Sequence, residues 1–524
     1  MDKITLAVIQ KKLESIAEEM ATVLRMTALS PNIKERADFS TAVFTSDGGL
    51  LAQAEAIPVH LGSMSTSVKE GLKAFKDEFY IGDIIIHNSP FRGGTHLPDI
   101  TLIKPVFLES DNSPSFFVAN RAHHADIGGI VPGSMPGAST QIFQEGLSIP
   151  PVKIVDRGKI QKNILNLILE NVRTPLERKG DFMAQIGSVN KGEERVKELA
   201  MEYGTDKLFE AQKLLFDMTK QATHNKLRQI PEGSYEFEDF LDSDGVIDNP
   251  VKIKVKITIS NGEATVDFTG TAKQVQGNTN APLAVTRSAV FYVFRCITGD
   301  DVPANEGGFS PIKIVAPVGT VVNPNWPAAV SSGNTETSQR IVDVVFGALS
   351  KAISVPAASQ GTMNNVLIGG IDPNTNKSFS YYETIGGGTG ATNNCDGENA
   401  IHSHMTNTWN TPIEALELEY PLRVTAYKIR ENSGGKGKHR GGNGIIREYL
   451  FLTDVEISLQ TERRKFSPWG LKGGMNASRG KNLLIKQNGE VVQLPGRITI
   501  SAKKGERLRI ETPGGGGYGN PNNN

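Results

Sequence analysis

The spacing of hydrophobic positions changes along the chain, and this change predicts a mixture of helices and strands. Residues 4–29 carry apolar side chains near the helical period, which is typical of one long amphipathic helix on a core. Residues 41–52 contain two short apolar runs around the turn sequence SDGG, a pattern that predicts a β-hairpin. Residues 84–86 and 100–107 are predicted to form buried strands around a polar, glycine-rich loop. The first part of the chain is therefore expected to pack helices on a sheet.

Helical spacing continues further along the chain before short strands take over. Residues 161–172 and 182–220 are each predicted to form a helix. In residues 251–259 apolar positions alternate with lysine and threonine, which predicts a half-buried strand. Residues 338–350 again have helical spacing, whereas the chain from residue 420 onward has a strand-and-turn pattern. The C-terminal part is therefore expected to be a β-sandwich or barrel.

These patterns predict an α+β fold with several domains, because 524 residues exceed what one hydrophobic core usually supports. We expect an N-terminal mixed α/β domain over residues 1–235, a central mixed α/β domain over residues 236–415 and a β-rich C-terminal domain over residues 416–524. The last domain ends in a glycine-rich segment, residues 514–524, which we interpret as a flexible tail.

The composition of the chain argues against several classes of protein. The formal net charge is −1, so no broad basic surface for nucleic acid is expected. The two cysteines, Cys296 and Cys395, are too few for a disulfide framework or a multi-cysteine metal site. We expect neither a signal peptide nor a membrane-spanning helix, because no sufficiently long apolar run occurs. A cytoplasmic location is therefore predicted.

Two short motifs place histidine and aspartate side chains where they could bind a metal ion. His96 and Asp99 are three positions apart, and His123, His124 and Asp126 follow on a second segment beside a glycine pair. Imidazole and carboxylate ligands suit zinc, manganese or iron and need no thiolate. The alternative is that these are surface or capping residues of loops. We favour a metal site in the N-terminal domain, and expect at most one of the two adjacent histidines to be a ligand.

Other polar motifs give weaker signals. Residues 385–391 (IGGGTGA) are glycine-rich, yet no lysine follows as a phosphate-binding P-loop requires, so a tight turn near an active site is the preferred interpretation. His402 and His404 have the spacing that puts two side chains on one face of a strand, where they could line a pocket; the alternative is an ordinary core or surface position.

Several motifs follow one another along the chain: RADFS (36–40), GGTHLPD (93–99), AHHADIGG (122–129), NTETSQR (334–340), DG (396–397), SGG (433–435), RGG (440–442) and PGGGGYG (513–519). Together they resemble the hydantoinase B family. Because the resemblance covers nearly the whole chain, it is far more specific than any single motif. The family includes the B-type subunit of N-methylhydantoinase, the matching half of 5-oxoprolinase, a caprolactamase subunit and the α subunit of acetone carboxylase.

The resemblance implies a division of work between two subunits, in a hetero-oligomer expected to be A2B2. A hydantoinase A-type partner would bind ATP and Mg²⁺ and phosphorylate the oxygen of the substrate. The B-type chain would hold a divalent ion that activates water. The implied metal ligands are Asp38, His96, Asp99 and His123. His124 and Asp126 are then expected beside these ligands, where they would orient them or relay a proton, and we assign one of the two as general base or acid.

Three functions stay open from the sequence. The first is the metal-binding subunit of an ATP-dependent hydrolase that opens a cyclic amide such as a hydantoin, 5-oxoproline or a lactam. The second is a subunit of a carboxylase of the acetone carboxylase type, and the third is a non-catalytic scaffold. We favour the hydrolase over the carboxylase, because the acetone carboxylase α subunit is considerably longer than 524 residues.

Overall fold

The protein is described by a computed structural model over residues 1–54, 57–76, 78–108, 113–299 and 302–522. Its helices are α1 (Lys3–Thr27), α2 (Pro31–Lys34), α3 (Ser63–Phe75), α4 (Lys162–Glu170), α5 (Pro175–Tyr203), α6 (Thr205–Leu227), α7 (Leu283–Thr298), α8 (Glu306–Phe309), α9 (Ser338–Leu349) and α10 (Ile413–Glu419). Its strands are β1 (Phe39–Thr45), β2 (Leu50–Gln53), β3 (Ile84–His87), β4 (Asp99–Val106), β5 (Phe116–His123), β6 (Val152–Asp156), β7 (Lys159–Ile160), β8 (Gly233–Leu241), β9 (Val251–Ser260), β10 (Glu263–Asp267), β11 (Ile312–Val315), β12 (Asn365–Ile371), β13 (Ser378–Glu383), β14 (Leu422–Arg430), β15 (Gly444–Phe451), β16 (Val455–Gln460), β17 (Lys481–Ile485), β18 (Val491–Leu494), β19 (Arg497–Ala502) and β20 (Arg507–Glu511). Within these ranges no helix is both long enough and apolar enough to cross a membrane.

The N-terminal part is built on a seven-stranded sheet in the order β2-β1-β5-β4-β3-β6-β7. Successive residues of a strand face opposite sides of the sheet, so Ile84 and Ile86 join the core under α1 and α5. Ile85 joins a second core under α3. Burial on both faces explains why these strands are continuous apolar runs. The predicted helix, hairpin and buried strands of this part are confirmed.

The helical region that follows differs from the prediction at one point. Residues 182–220 were expected to form a single helix, whereas the structure has α5 and α6 on either side of Gly204. Gly204 has φ +86° and ψ 145°, a conformation that ends the α-helix and that an L side chain rarely adopts. Uniform helical spacing on both sides conceals such a break, because the two helices pack on the same core.

The central part packs α7 and α9 on the four-stranded sheet β11-β10-β9-β8. Strand β9 alternates buried and more exposed residues as predicted. Helix α9, also predicted, is buried along its whole length. It follows a π-helical turn, Gly333–Thr337, whose side chains are all buried.

The C-terminal part consists of strands β14 to β20 with one short helix, and is β-rich as predicted. Its core lies between the sheets β13-β12-β16-β19 and β14-β15-β20-β17-β18. The first of these sheets joins β12 and β13, which lie before residue 415, with β16 and β19, which lie after it. The domain limits expected from the sequence stay a prediction. The fold class is the predicted multidomain α+β class.

The glycine-rich end of the chain is packed against the rest of the protein, and the prediction of a flexible tail is wrong for residues 514–519. Gly514 to Gly517 are buried. The Gly515 N–H donates to the Gly442 carbonyl at 2.9 Å, and the Gly516 N–H donates to the Ala358 carbonyl at 2.8 Å. These glycines therefore bring backbone segments from distant parts of the chain into direct contact. Residues 523–524 lie outside the described ranges.

Candidate metal centre

The register of three neighbouring strands brings the predicted ligands to one end of the N-terminal sheet. Asp99, at the start of β4, pairs directly with His123 at the end of β5. On the other side of β5, the Asp38 carbonyl accepts the His123 N–H at 3.0 Å, just before β1 begins. Directly paired residues of antiparallel strands place their side chains on the same face. The sheet therefore aligns Asp38, His123 and Asp99 in one row.

His96 completes the cluster from the loop before β4, where the Asp99 N–H donates to the His96 carbonyl at 3.1 Å. His96 Nε2 lies 3.1 Å from His123 Nδ1 and 3.2 Å from Asp99 Oδ1. His123 Nδ1 lies 3.0 Å from Asp99 Oδ1. Ligand atoms that bind one ion at about 2.0–2.2 Å are separated by about 3 Å when they are adjacent in its coordination shell. The three atoms thus form a triangle of the size that one divalent ion requires.

The chemistry of the cluster fits a cation. Burial lowers the pKa of His123, which keeps that imidazole neutral. Burial alone would raise the pKa of Asp99, but His96, His123 and His60 hold it well below its usual value. Neutral imidazole and ionised carboxylate are the forms that bind a metal ion. His96 Nδ1 and His123 Nε2 are buried without a hydrogen-bond partner in the described structure. No hydrogen bond from these two nitrogens to the described residues therefore sets the orientation of either ring.

Asp38 lines the same small cavity but lies outside the tight triangle of His96, Asp99 and His123. The cavity measures about 20 Å³. Burial raises the pKa of Asp38, so a bound cation would favour its ionised form. The structure therefore brings together three of the four ligands implied by the resemblance and places the fourth beside them.

The carboxylate of Asp99 is oriented by residues that sequence reasoning missed. Asp99 Oδ2 accepts a short hydrogen bond from Thr95 Oγ1 and lies 3.3 Å from His60 Nε2. An ionised carboxylate only accepts hydrogen bonds, so Nε2 of His60 carries the proton and Nδ1 accepts from Ser40 Oγ at 2.8 Å. Both bonds engage Oδ2 and leave Oδ1 free for the cluster. His60 is an isolated histidine that follows no metal-binding pattern, so its sequence carried no signal.

Replacing His60 by alanine is expected to weaken metal binding without removing any of the predicted ligands. Partners that orient a ligand typically contribute ten- to hundredfold in metal affinity, and we expect a loss of about that size. Competition with a fluorescent chelator measures the affinity for Zn²⁺. His60→Gln, which retains a side-chain donor, should recover part of the loss. Wild-type affinity in His60→Ala would show that Asp99 does not depend on this contact.

A second chain of contacts leads from the cluster to a buried glutamate. The Tyr382 ring stacks on His123 with ring centres 4.6 Å apart. Its hydroxyl donates to Asn365 Oδ1 at 2.9 Å, and Asn365 Nδ2 donates to Glu336 Oε1 at 2.8 Å. Glu336 is fully buried in the π-helical turn, and burial raises its pKa to about 7.

This raised pKa predicts a pH-dependent contribution to stability. The folded state holds the Glu336 proton more tightly than the unfolded state, so its contribution is complete below the ordinary pKa of 4.5 and is lost as the pH rises to about 7. The expected loss is about 3 kcal/mol. Glu336→Gln should remove this component, seen as a smaller fall in unfolding midpoint between pH 4.5 and 7 than in the wild type. Parallel pH profiles of the two proteins would contradict the assignment.

His124 and Asp126 are not brought together with the cluster. His124 follows the last residue of β5 and faces the opposite side, where Nε2 lies 2.9 Å from Gln185 Oε1 and the ring packs on Phe182 of α5. Asp126 accepts from Arg173 Nη1 at 2.9 Å and from the N–H groups of Gly128 and Gly133, both at 3.1 Å. Both residues therefore contact the loops and the helix around the site and not the cluster itself.

A larger cleft borders the metal cavity. Its volume is about 420 Å³, and His402, Ser403 and His404 line it. Thr406 lines both the cleft and the metal cavity. The two histidines lie in a loop and not on a strand as predicted, but they do line a pocket. Burial lowers the pKa of both, to about 4 for His402, so the cleft presents neutral imidazoles.

Comparison of the chain with known proteins identifies its family. A family model described as Hydantoinase B/oxoprolinase matches residues 2–521. The chain belongs to this family. It is 46% identical to an uncharacterized protein of Methanocaldococcus jannaschii, over 99% of this chain and 91% of that protein. It is 34% identical to a protein of Pseudomonas sp. described provisionally as the B-type subunit of a D-/L-hydantoinase, over 99% of this chain and 90% of that protein.

Longer relatives and solved structures extend the comparison. The chain is 40% identical to 5-oxoprolinase 1 of Arabidopsis thaliana over 99% of its own length, but spans only 42% of that protein. The ATP-dependent caprolactamase of Pseudomonas jessenii superposes with a TM-score of 0.92 at 31% identity, covering 99% of this chain and 92% of that chain. Nucleotide-free acetone carboxylase also gives a TM-score of 0.92, at 20% identity, over 99% of this chain and 76% of that one. The second likeness concerns the fold alone.

Proposed function

We propose that this chain is the metal-binding subunit of an ATP-dependent enzyme that hydrolyses a cyclic amide. The observation that carries the proposal is the buried His96–Asp99–His123 triangle, found in a chain of the hydantoinase B/oxoprolinase family. Relatives are named for 5-oxoproline, hydantoin and caprolactam, which are all cyclic amides. A hydantoin, 5-oxoproline or another lactam is therefore the proposed substrate class.

The proposed ligands of the ion are Asp38, His96, Asp99 and His123. Zinc, manganese or iron suits this set of two imidazoles and two carboxylates. When bound, such an ion makes water a stronger nucleophile near neutral pH. Thr95 and His60 hold Asp99 in the ligating orientation, and Tyr382 covers the His123 ring.

The bordering cleft is the proposed binding site of the cyclic amide. Its volume of about 420 Å³ lies within the usual range of small-molecule sites, whereas the metal cavity of about 20 Å³ is too small for a ring. Neutral His402 and His404 can donate to the substrate and accept from it. Because Thr406 lines both spaces, a substrate carbonyl carbon in the cleft would face the metal cavity.

ATP activates the substrate in this proposal, and an A-type partner supplies the ATP and Mg²⁺ site. Transfer of the γ-phosphoryl group to the amide oxygen makes the carbonyl carbon a better electrophile. Water then adds to this carbon, the ring C–N bond breaks, and the nitrogen takes up a proton. A second water releases phosphate from the resulting acyl phosphate. The D-/L-hydantoinase relative is described as one subunit of its enzyme, which supports a separate partner, and A2B2 is the proposed stoichiometry.

His124 and Asp126 are proposed to support the site and not to transfer protons. Asp126→Asn is expected to keep the bound ion and most of the ring-opening activity, while the loss of the Arg173 ion pair lowers stability by about 1–3 kcal/mol. Elemental analysis, turnover and thermal unfolding of the same preparation measure the three effects. A turnover loss of about 10²-fold or more with metal retained would instead support the acid–base role inferred from the sequence.

Two other functions are less well supported. The carboxylase resemblance rests on 20% identity, whereas the caprolactamase is 31% identical and is covered over 92% of its chain. A purely structural ion usually has every coordination position filled by protein, but this cluster faces a cavity with room for a further small ligand.

The proposed function is tested by reconstitution. The pure chain should show no ATP turnover, and the chain with its A-type partner should open members of a panel of hydantoins, 5-oxoproline and lactams in an ATP-dependent reaction. The same panel is assayed with and without bicarbonate. Turnover that requires bicarbonate would support the carboxylase, and ATPase activity of the pure chain would contradict the division of work between subunits.

A further inference from the structure

The π-helical turn Gly333–Thr337 forms one wall of the metal cavity. Asn334 and Thr335 line this cavity together with Asp38, His96 and His123. A π-turn inserts one extra residue into a helix, and such turns often occur at functional sites. Here it carries two adjacent polar side chains to the cavity that the histidines and aspartates also line.

These two side chains are buried and have no hydrogen-bond partner in the described structure. Asn334 is 3% exposed and Thr335 is 1% exposed. Asn334 Oδ1 and Thr335 Oγ1 are both unpaired. Buried polar atoms are nearly always satisfied by protein or by ordered water, and an unpaired one is costly. Two such atoms on one cavity wall therefore indicate that something small and polar occupies the space between them.

The turn itself is held rigidly, so the unpaired atoms are not the result of a loose segment. Glu336 Oε1 accepts from the Met363 N–H at 3.1 Å and from Asn365 Nδ2. The Gly333 N–H donates to the Asn278 carbonyl at 2.9 Å. A Cβ at Gly333 would lie 1.9 Å from the Asn280 carbonyl oxygen, so the backbone approaches its neighbour as closely as glycine allows.

The size of the cavity selects the occupant. The volume of about 20 Å³ includes the position of the ion, so beside a bound ion it leaves room for no more than one water molecule, which needs roughly 10–15 Å³. A cyclic amide does not fit, and a single water can accept from the threonine hydroxyl and donate to the asparagine oxygen at the same time. The occupant also lies beside Thr406, which borders the proposed substrate cleft.

We propose that Asn334 and Thr335 bind one water molecule in the metal cavity and orient it towards the substrate carbonyl carbon. They are positioning residues of the proposed hydrolysis and are not metal ligands, so this inference rests on the proposed function. The water is held between the π-turn on one side and the His–Asp cluster on the other. Removal of either polar group should therefore leave substrate binding intact and slow the step that consumes water.

The test compares Thr335→Val, which keeps the side-chain shape and removes the hydroxyl, with Thr335→Ser, which keeps the hydroxyl. Crystal structures of the metal-loaded chain should show a water within hydrogen-bond distance of residue 335 in the wild type and in Thr335→Ser. Thr335→Val should lack it while binding as much zinc as the wild type. In the reconstituted enzyme, Thr335→Val and Asn334→Ala should lower kcat by about 10- to 100-fold at unchanged KM, and Thr335→Ser should recover most of the activity.

Each outcome separates this inference from the proposed function. A dry cavity in the wild type, or full kcat in Thr335→Val, would overturn the role of the two residues even if ring opening is observed. Loss of zinc from Thr335→Val would overturn it as well, because the residue would then support metal binding. If no cyclic amide is opened, the proposed function fails, while the crystal structures still decide whether the two residues hold water.

Discussion

Replacement of Asp99 by alanine is expected to reduce the bound divalent ion from about one per chain to none and to abolish ring opening. Asp99 Oδ1 lies within 3.2 Å of His96 Nε2 and 3.0 Å of His123 Nδ1, so it is the ligand that the other two share. Its removal also leaves Asp38 as the only one of the two proposed carboxylate ligands to neutralise a buried cation. Loss of metal-activated water should slow hydrolysis by about 10²-fold or more. Elemental analysis of the purified protein and turnover with the A-type partner measure the two effects.

The adjacent histidines provide a matched control for this prediction. His123→Ala should lose the ion as Asp99→Ala does, whereas His124→Gln should retain it, because His124 faces α5. Circular dichroism confirms that each variant is folded before its metal content is compared. Equal metal loss from both histidine variants would mean that the site is disrupted indirectly. A wild-type chain that takes up no zinc, manganese or iron would remove the basis of the proposed mechanism.

The site could be predicted from the sequence only where its residues are close together in the chain. His96 and Asp99 share a turn, so their spacing alone suggested a pair of ligands. The choice between His123 and His124 depends on which face of β5 points to the cavity, and β5 was not among the predicted strands. Asp38 came only from the family resemblance, because its proximity to His123 arises from the pairing of β1 with β5.

Contacts between distant segments explain most of what the sequence did not reveal. His60, Tyr382 and Asn334 reach the cavity from three separate parts of the chain, and none belongs to a metal-binding pattern. The helices and alternating strands were more predictable, because hydrophobic period is a local property. The glycine-rich end was misjudged for the same reason as the site: composition suggests flexibility, whereas contacts with residues more than a hundred positions away make it rigid.

Replacement of Gly515 by alanine is expected to destabilise the protein strongly, although it adds only a single methyl group. A Cβ at this position would lie 1.8 Å from the Thr389 carbonyl oxygen and 2.6 Å from the Gly390 nitrogen, and both are backbone atoms that cannot move aside as a side chain could. The expected cost is about 3 kcal/mol or more, a fall of roughly 3 °C or more in the unfolding midpoint of a 524-residue chain. The matched control is Gly187→Ala in α5, whose Cβ would meet only Val23 Cγ1 at 3.8 Å. Alanine should stabilise that helix by about 0.5–1 kcal/mol. Scanning calorimetry measures the unfolding midpoints of both variants. Equal midpoints would mean that the glycine-rich segment shifts to accommodate the methyl group. Its close backbone packing would then contribute little to the stability of the fold.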